Sequence, residues 1–299
     1  MINEVMSYLD CKENENYIDA TFGAGGYSKA ILENAKCNIV AIDRDNNVTK
    51  FANILSKEYG SRFQFFNNKF SEISSIASES NIDEFDGIIY DFGVSSMQLD
   101  DMSRGFSFDS NDKLDMRMNK DNPVNAYDVV NNIKESDLVN IIRLYGEERK
   151  AKLIARNIAE SRKIKTITYC NELAEIIRKT YKGYHKIDPA TKTFQAIRIY
   201  VNNELEEIKK SLTQSLSILK KGGRIITVSF HSLEDTIVKN FFKEESGQNI
   251  TYSRYEPVLQ NNKDIKLKIL TKSAIKPGDL EVSNNHRARS SRLRAAIKT

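Results

Sequence analysis

At 299 residues the chain has the length of about two ordinary domains, or of one large domain carrying an insertion. With 40% hydrophobic and 29% charged residues it has enough apolar surface to offset the entropy of ordering, which excludes wholesale disorder. The net charge of +4 hides a split: residues 1–118 hold 11 Lys and Arg against 20 Asp and Glu, and residues 119–299 hold 34 against 21. A basic part of this kind suits a polyanion, and an acidic part suits a neutral or cationic ligand. No apolar run approaches the ~18 residues of a membrane-spanning helix. The opening MINEVMSYLDCKENEN is acidic where a secretory signal is basic and then apolar, so a cytoplasmic protein with no membrane partner is expected. Cys11, Cys37 and Cys170 stand apart without a CxxC pair; no disulfide framework and no metal site is expected.

In chain order, YIDATFGAGG reads as a buried strand running into a glycine turn, and YSKAILENA continues it at helical period. NIVAIDRD is a second apolar strand ending in acids, and VTKFANILSKEYG is a helix stopped at Gly60. RFQFFNN is a third strand, FSEISSIASES a helix and DGIIYDFG a fourth strand. Four β–α alternations predict a Rossmann-like α/β fold, a parallel sheet with helices on both faces. The fifth strand, GRIITVSF, is delayed to residues 223–230, with amphipathic helices before and after it. The intervening stretches DLVNIIRLYG, EERKAKLIARNIAESRK and CNELAEIIRKTY are helical throughout. They predict an inserted all-helical domain over residues 104–190, dividing a sheet domain into 1–103 and 191–299. Two further β-like runs, ITYSRYEPVLQ and IKLKILTKS, precede a basic tail, NNHRARSSRLRAAIKT.

The segment DATFGAGGYS, residues 19–28, places glycine at 23, 25 and 26, where a ligand can approach the backbone closely. A dinucleotide fingerprint needs glycine at 28, where this chain has Ser28, and a phosphate loop needs Gly-Lys-Ser/Thr, which is absent. The ends of strands one, two and four present Asp19, Asp43 and Asp91 at the carboxyl edge of the sheet, where ligands of open α/β sheets bind. Three carboxylates repel pyrophosphate. They suit S-adenosylmethionine, which carries a sulfonium, an ammonium and ribose hydroxyls that Asp43 can accept. The bland reading is that such acids cap helices or bind water.

From strand four onward the motifs are specific. IIYDFGVSSMQLDDMSRGFSFDSNDKLDMRM, YGEERKAKLIARNI, DPATKTFQAIRIYVNNELEEI and SFHSLEDTIVK, in this order, resemble the RsmH (MraW) family over nearly the whole chain. The resemblance implies a class I methyltransferase sheet with a helical insertion, S-adenosylmethionine as cofactor, and methylation of N4 of a cytidine in the decoding region of bacterial 16S ribosomal RNA. It implies small-subunit ribosomal RNA, within the small subunit, as partner. The cofactor contacts it carries over are Gly25, Gly26, Tyr27, Asp43, Phe70, Asp91 and Gln98. The chain departs from the family in having Tyr27 for His, Met97 for Pro, Lys192 and Thr236 for Arg, and Asp188 for His. It also starts without the short His-containing lead that family members carry before INEVMSYL.

An exocyclic cytosine amine attacks poorly unless an acceptor holds one of its N–H groups. Asp91 and His231 are the catalytic candidates on this reading, although Ser232 with Asp235 three residues on also reads as a helix cap that His231 would merely orient. Asp115 and Arg117 in LDMRM are candidates for substrate contact, or else form a paired hinge. Arg287 and Arg289 in the tail, which carries no acid from His286 onward, are candidates for holding RNA phosphates. The bland alternative for the tail is that Leu293, Ala296 and Ile297 pack on the sheet. Two other functions share the fold: a non-catalytic RNA-binding or assembly protein, and a Rossmann oxidoreductase.

Overall fold

A computed structural model describes residues 1–248 and 264–299; the expected strand ITYSRYEPVLQ falls outside the described residues. The strands are β1 (Asn16–Asp19), β2 (Asn38–Ile42), β3 (Phe63–Phe66), β4 (Phe85–Asp91), β5 (Leu219–Ser229), β6 (Leu267–Ile269) and β7 (Arg292–Lys298). They form one sheet in the order β3-β2-β1-β4-β5-β7-β6. The neighbours from β3 to β5 are parallel, and β7 runs antiparallel to both β5 and β6. This is the Rossmann-like class I methyltransferase sheet. The chain winds outward from β1 through β3, then returns to place β4 on the other side of β1. That reversal opens a crevice at the carboxyl ends of β1 and β4.

Contacts divide the chain into two compact units, Met1–Gly93 with Leu205–Thr299, and Val94–Glu204. The sheet unit carries helices α1 (Ile2–Leu9), α2 (Gly26–Asn34), α3 (Thr49–Tyr59) and α4 (Ile73–Glu79). Its core is built from the continuous apolar runs of the parallel strands, including Ile18, Val40, Ile88 and Ile225, all fully buried. Such runs are what a sheet covered on both faces requires. The second unit is helical: α5 (Ser96–Asp100), α6 (Ala126–Asn132), α7 (Glu135–Gly146), α8 (Ala151–Ile164), α9 (Cys170–Arg178) and α10 (Ala190–Asn202). Its boundaries differ from 104 and 190 because α10 buries Ala190, Phe194 and Ile197 in the core that α7, α8 and α9 supply. Gly146 lets α10 approach α7: a Cβ there would stand 2.6 Å from the Lys192 carbonyl oxygen. Phe194, Ile197, Ile199 and Val201 are core residues. The sheet unit resumes with α11 (Glu204–Ile218), α12 (Ser232–Glu245) and α13 (Asp279–Asn284). No helix among the described residues is long and apolar enough to cross a membrane.

Within the basic tail, residues 292–298 form β7, which pairs Leu293 with Val228 and Ala296 with Ile225, the alternative in which these residues pack on the sheet. Leu293, Ala295 and Ala296 are fully buried. The arginines between them are tied to α12: Asp235 accepts from Arg294 Nε at 2.7 Å and from Arg292 Nη1 at 3.1 Å. Although burial pushes the Asp235 carboxyl up, the guanidinium groups of Arg294 and then Arg292 hold it below its ordinary value. Lys298 Nζ donates to the carbonyls of Leu216 and Leu219 at 2.8 and 2.6 Å. Only His286–Ser290, with exposed Arg287 and Arg289, forms an outward turn. Leu293→Ala should therefore destabilise the protein by ~2–5 kcal/mol, the range for a buried Leu truncated in a packed core. Urea unfolding checks this, and a loss under ~1 kcal/mol, the size of a surface change, would show that β7 is not part of the packed sheet.

Candidate active site

The chain leaves β1 at Asp19 and turns through a glycine loop into α2. Gly25 has a left-handed φ of 83°, and a Cβ there would stand 2.9 Å from the Phe22 ring, so only glycine makes this turn. At Gly26, the first residue of α2, a Cβ would meet nothing within 4 Å; the helix begins on open space. Asp19 is fully buried and turned into the loop, where Oδ2 accepts the Ser28 hydroxyl at 2.7 Å and Oδ1 the Thr21 N–H at 3.3 Å. Ser28 stands where a dinucleotide fingerprint has glycine, and here it ties α2 to the strand.

Asp43 follows β2. Its Oδ2 accepts the Gly23 N–H and its Oδ1 the Asp45 N–H, both at 2.8 Å, so one carboxylate joins two loops of the crevice. Asp91 ends β4. Its N–H donates to Thr21 Oγ1 at 2.6 Å, while its carboxylate Oδ1 is buried without a hydrogen-bond partner. Burial pushes the Asp19 carboxyl up to about 6. Burial, and then the charge of Asp19, push Asp91 up to about 7. Asp43 is raised as well, again by burial first. The Tyr27 phenol is held protonated, by burial and then by the charges of Asp91 and Asp19. Carboxylates that burial and one another's charge keep from ionising form a site for a cation.

Phe70 precedes α4 and meets Tyr90 edge-on, with ring centroids 6.0 Å apart, and Phe92 at 6.1 Å. The Arg44 guanidinium lies 6.0 Å from the Phe70 ring centroid. Tyr90 is anchored from behind by Ser211 and Ser215, at 2.6 and 2.7 Å from its hydroxyl. A partly exposed aromatic ring is thus held firmly beside the strand ends.

His231 follows β5 and is itself the N-cap of α12, which corrects the expectation that Ser232 caps with Asp235. Its Nδ1 accepts the Glu234 N–H at 3.5 Å, and its Nε2 stands 3.0 Å from Glu234 Oε1, at ion-pair distance but poorly aligned for a hydrogen bond. Glu234 Oε2 accepts the N–H groups of Phe230 and His231 at 2.8 and 3.3 Å. With both ring nitrogens facing Glu234, His231 is built into the turn. Thr21 and Glu234 are the two polar residues that the sequence reading passed over; an acid three residues after a cap was the available signal for the second.

The remaining candidates lie in the helical unit. Gln98 completes a capping box with Ser95 at the start of α5. Arg117 holds Asp115 through Nε at 2.7 Å and Nη2 at 3.0 Å, and Nη1 donates to the carbonyls of Lys120 and Asn122. The guanidinium closes the loop around left-handed Met116, which is the paired-hinge arrangement.

The raised carboxyl of Asp91 makes a pH prediction. An acid with a raised folded value favours folding most at low pH, and the contribution is lost as pH rises from 3.8 through about 7. Asp91→Asn removes the penalty. Without ligand, the variant should be more stable than the wild type at pH 8 by about 2 kcal/mol, a discounted equivalent of the shift. The difference should shrink as pH falls toward 4, as urea unfolding across the range would show; a difference independent of pH would refute the assignment.

A family model described as the MraW methylase family matches residues 1–299. A ribosomal RNA small subunit methyltransferase H of Rickettsia africae is 50% identical over 301 residues, which cover 99% of this chain and 96% of that protein. Its namesake in Rickettsia bellii is 49% identical over 305 residues, 100% of this chain and 97% of that one. Among solved structures, an rRNA methylase from Streptococcus thermophilus superposes with a TM-score of 0.43 at 8% identity, covering 99% of this chain and 93% of that one.

Proposed function

The chain belongs to the MraW methylase family, and on that premise we propose that it transfers the methyl group of S-adenosylmethionine to N4 of a cytidine in the decoding region of bacterial 16S ribosomal RNA. The observation that carries this reading is the crevice edge, where Asp91 keeps a buried carboxylate oxygen without a partner beside the open first turn of α2. Those features fit a cationic, nucleoside-bearing cofactor and disfavour the pyrophosphate of an oxidoreductase cofactor.

When bound, S-adenosylmethionine supplies an electrophilic methyl group on a sulfonium. Gly25 and Gly26 let such a ligand reach the backbone. Asp43 is oriented by the two N–H groups it accepts, and its remaining lone pairs suit ribose hydroxyls. Phe70 offers an apolar wall, and Asp91 with the neutral Tyr27 phenol receives the charged end. Family resemblance adds Gln98. An anionic Asp91 favours positive charge beside it, on the sulfonium or on the amine nitrogen as the new bond forms. His231 orients the turn after β5. Alignment of amine and methyl supplies the larger share of the rate, up to ~7–11 kcal/mol in well-oriented reactions.

The RNA side of the reading rests on charge. Residues 119–202 hold 16 Lys and Arg against 10 Asp and Glu, and Arg287 and Arg289 are exposed phosphate candidates in the turn before β7. Asp115 and Arg117 are assigned to shaping their own loop around Met116. The target base must be unstacked to react, which favours a single-stranded or splayed site within the small subunit. Bacterial ribosomal RNA is made in the cytoplasm, and the reading puts the protein there.

Asp43→Ala should weaken S-adenosylmethionine binding by ~1.5–3 kcal/mol, as expected for hydrogen bonds to a charged group; calorimetry on the folded variant checks it, and unchanged affinity rejects the ribose role. Incubation with labelled cofactor and small-subunit RNA should yield N4-methylcytidine by nucleoside mass spectrometry. Label on C5, on a ribose hydroxyl or on protein would overturn the assignment. Absence of cofactor binding would leave the non-catalytic RNA-binding reading.

A further inference from the structure

Between Arg178 and Asp188 the chain reads KTYKGYHKI, which carries Lys179, Lys182, His185 and Lys186 and no acid. The base of this loop is fixed. Arg178 pairs with Asp188 at 2.7 Å and with Asp109 at 3.1 Å, and Asn157 Nδ2 donates to Thr180 Oγ1 at 3.0 Å. The Tyr181 hydroxyl is hydrogen-bonded to Glu148. Lys150 Nζ lies 4.0 Å from the Tyr181 ring centroid and also donates to the Thr180 carbonyl at 3.2 Å. His185 meets the same ring edge-on at 5.2 Å. The loop is thereby seated on the start of α8, where Arg149, Lys150 and Lys152 are exposed. Beyond this anchored base the chain turns at Gly183, with φ at 80°, and presents Tyr184 with 93% of its surface in solvent.

We propose that this loop and the start of α8 form a platform for single-stranded RNA, on which Tyr184 stacks a base of the strand while Lys182, Lys186 and the α8 cations hold phosphates. The inference rests on the RNA-methylating reading and adds the place where the strand is gripped. A solvent-exposed ring among cations matches what a single strand offers: a flat π face every few ångströms and a phosphate beside each. An acidic peptide uses the cations and leaves the ring idle, so the ring discriminates between the two.

Fluorescence anisotropy with a short labelled single-stranded RNA tests it, alongside calorimetry with S-adenosylmethionine. Tyr184→Ala should weaken RNA binding about tenfold, within the range for loss of one stacked base, and Tyr184→Phe should bind as the wild type does. The double variant Lys182→Ala with Lys186→Ala should reduce the salt slope by about 1.4, at ~0.7 per phosphate of a single strand. Cofactor affinity should be the same in all of them. Wild-type RNA binding with no effect of these substitutions overturns the platform and leaves the proposed activity standing. Equal loss of an acidic peptide's binding on Tyr184→Ala overturns stacking as its basis. Failure of the wild type to bind RNA overturns the platform, while formation of N4-methylcytidine on small-subunit RNA decides the proposed activity separately.

Discussion

Burying three carboxyl groups together at one edge of the sheet is the constraint on which this molecule is organised. Asp19, Asp43 and Asp91 close three neighbouring parallel strands at one edge, and two of them are pushed up to about 6 and about 7. The surrounding loops are shaped to bear that cost. Thr21, Gly23 and Asp45 give their backbone N–H groups to Asp19 and Asp43, and Ser28 gives its hydroxyl. Removing Asp19 or Asp43 would therefore loosen the loops as well as the site, because the same hydrogen bonds serve both, whereas the Asp91 carboxylate makes none of them.

The other side of the sheet answers with positive charge used internally. Arg292 and Arg294 alternate with buried Leu293 and Ala295 along β7, and both close on Asp235 of α12. The basic surplus of the later part of the chain is accordingly not all surface. Some of it fastens the antiparallel strand to its helix, and some lies on the helical unit, where Lys150, Lys182 and Lys186 remain exposed.

Much of this was legible in the residues. The strands β1 to β5 appear as apolar runs because both faces of a parallel sheet are covered, and the glycine loop declares itself through Gly23, Gly25 and Gly26. The insertion is visible because helical period replaces apolar runs. What misled was charge. Arginines at 292 and 294 gave β7 the look of a phosphate-binding basic tail, although the apolar residues between them alternate as a strand requires. Propensity favoured Ser232 as the cap of α12, but the chain leaves β5 one residue earlier, and Glu234 reaches back to the N–H groups of Phe230 and His231. The later edge of the insertion lies beyond 190 because α10 and the start of α11 read as one continuous motif, DPATKTFQAIRIYVNNELEEI, while the side chains of α10 belong to the helical core. Nothing in local sequence reports which core a helix enters.

The uncompensated acids also bear on turnover. Transfer of a methyl group from a sulfonium leaves a neutral thioether, so on the proposed reading the spent cofactor has lost one of the charges that Asp91 would face. An edge at which Asp91 titrates near neutrality then takes back a proton more readily once that charge has gone. On the proposed reaction, chemistry itself loosens the enzyme's hold on its product, and the crevice distinguishes fresh from spent cofactor by electrostatics with no change in shape.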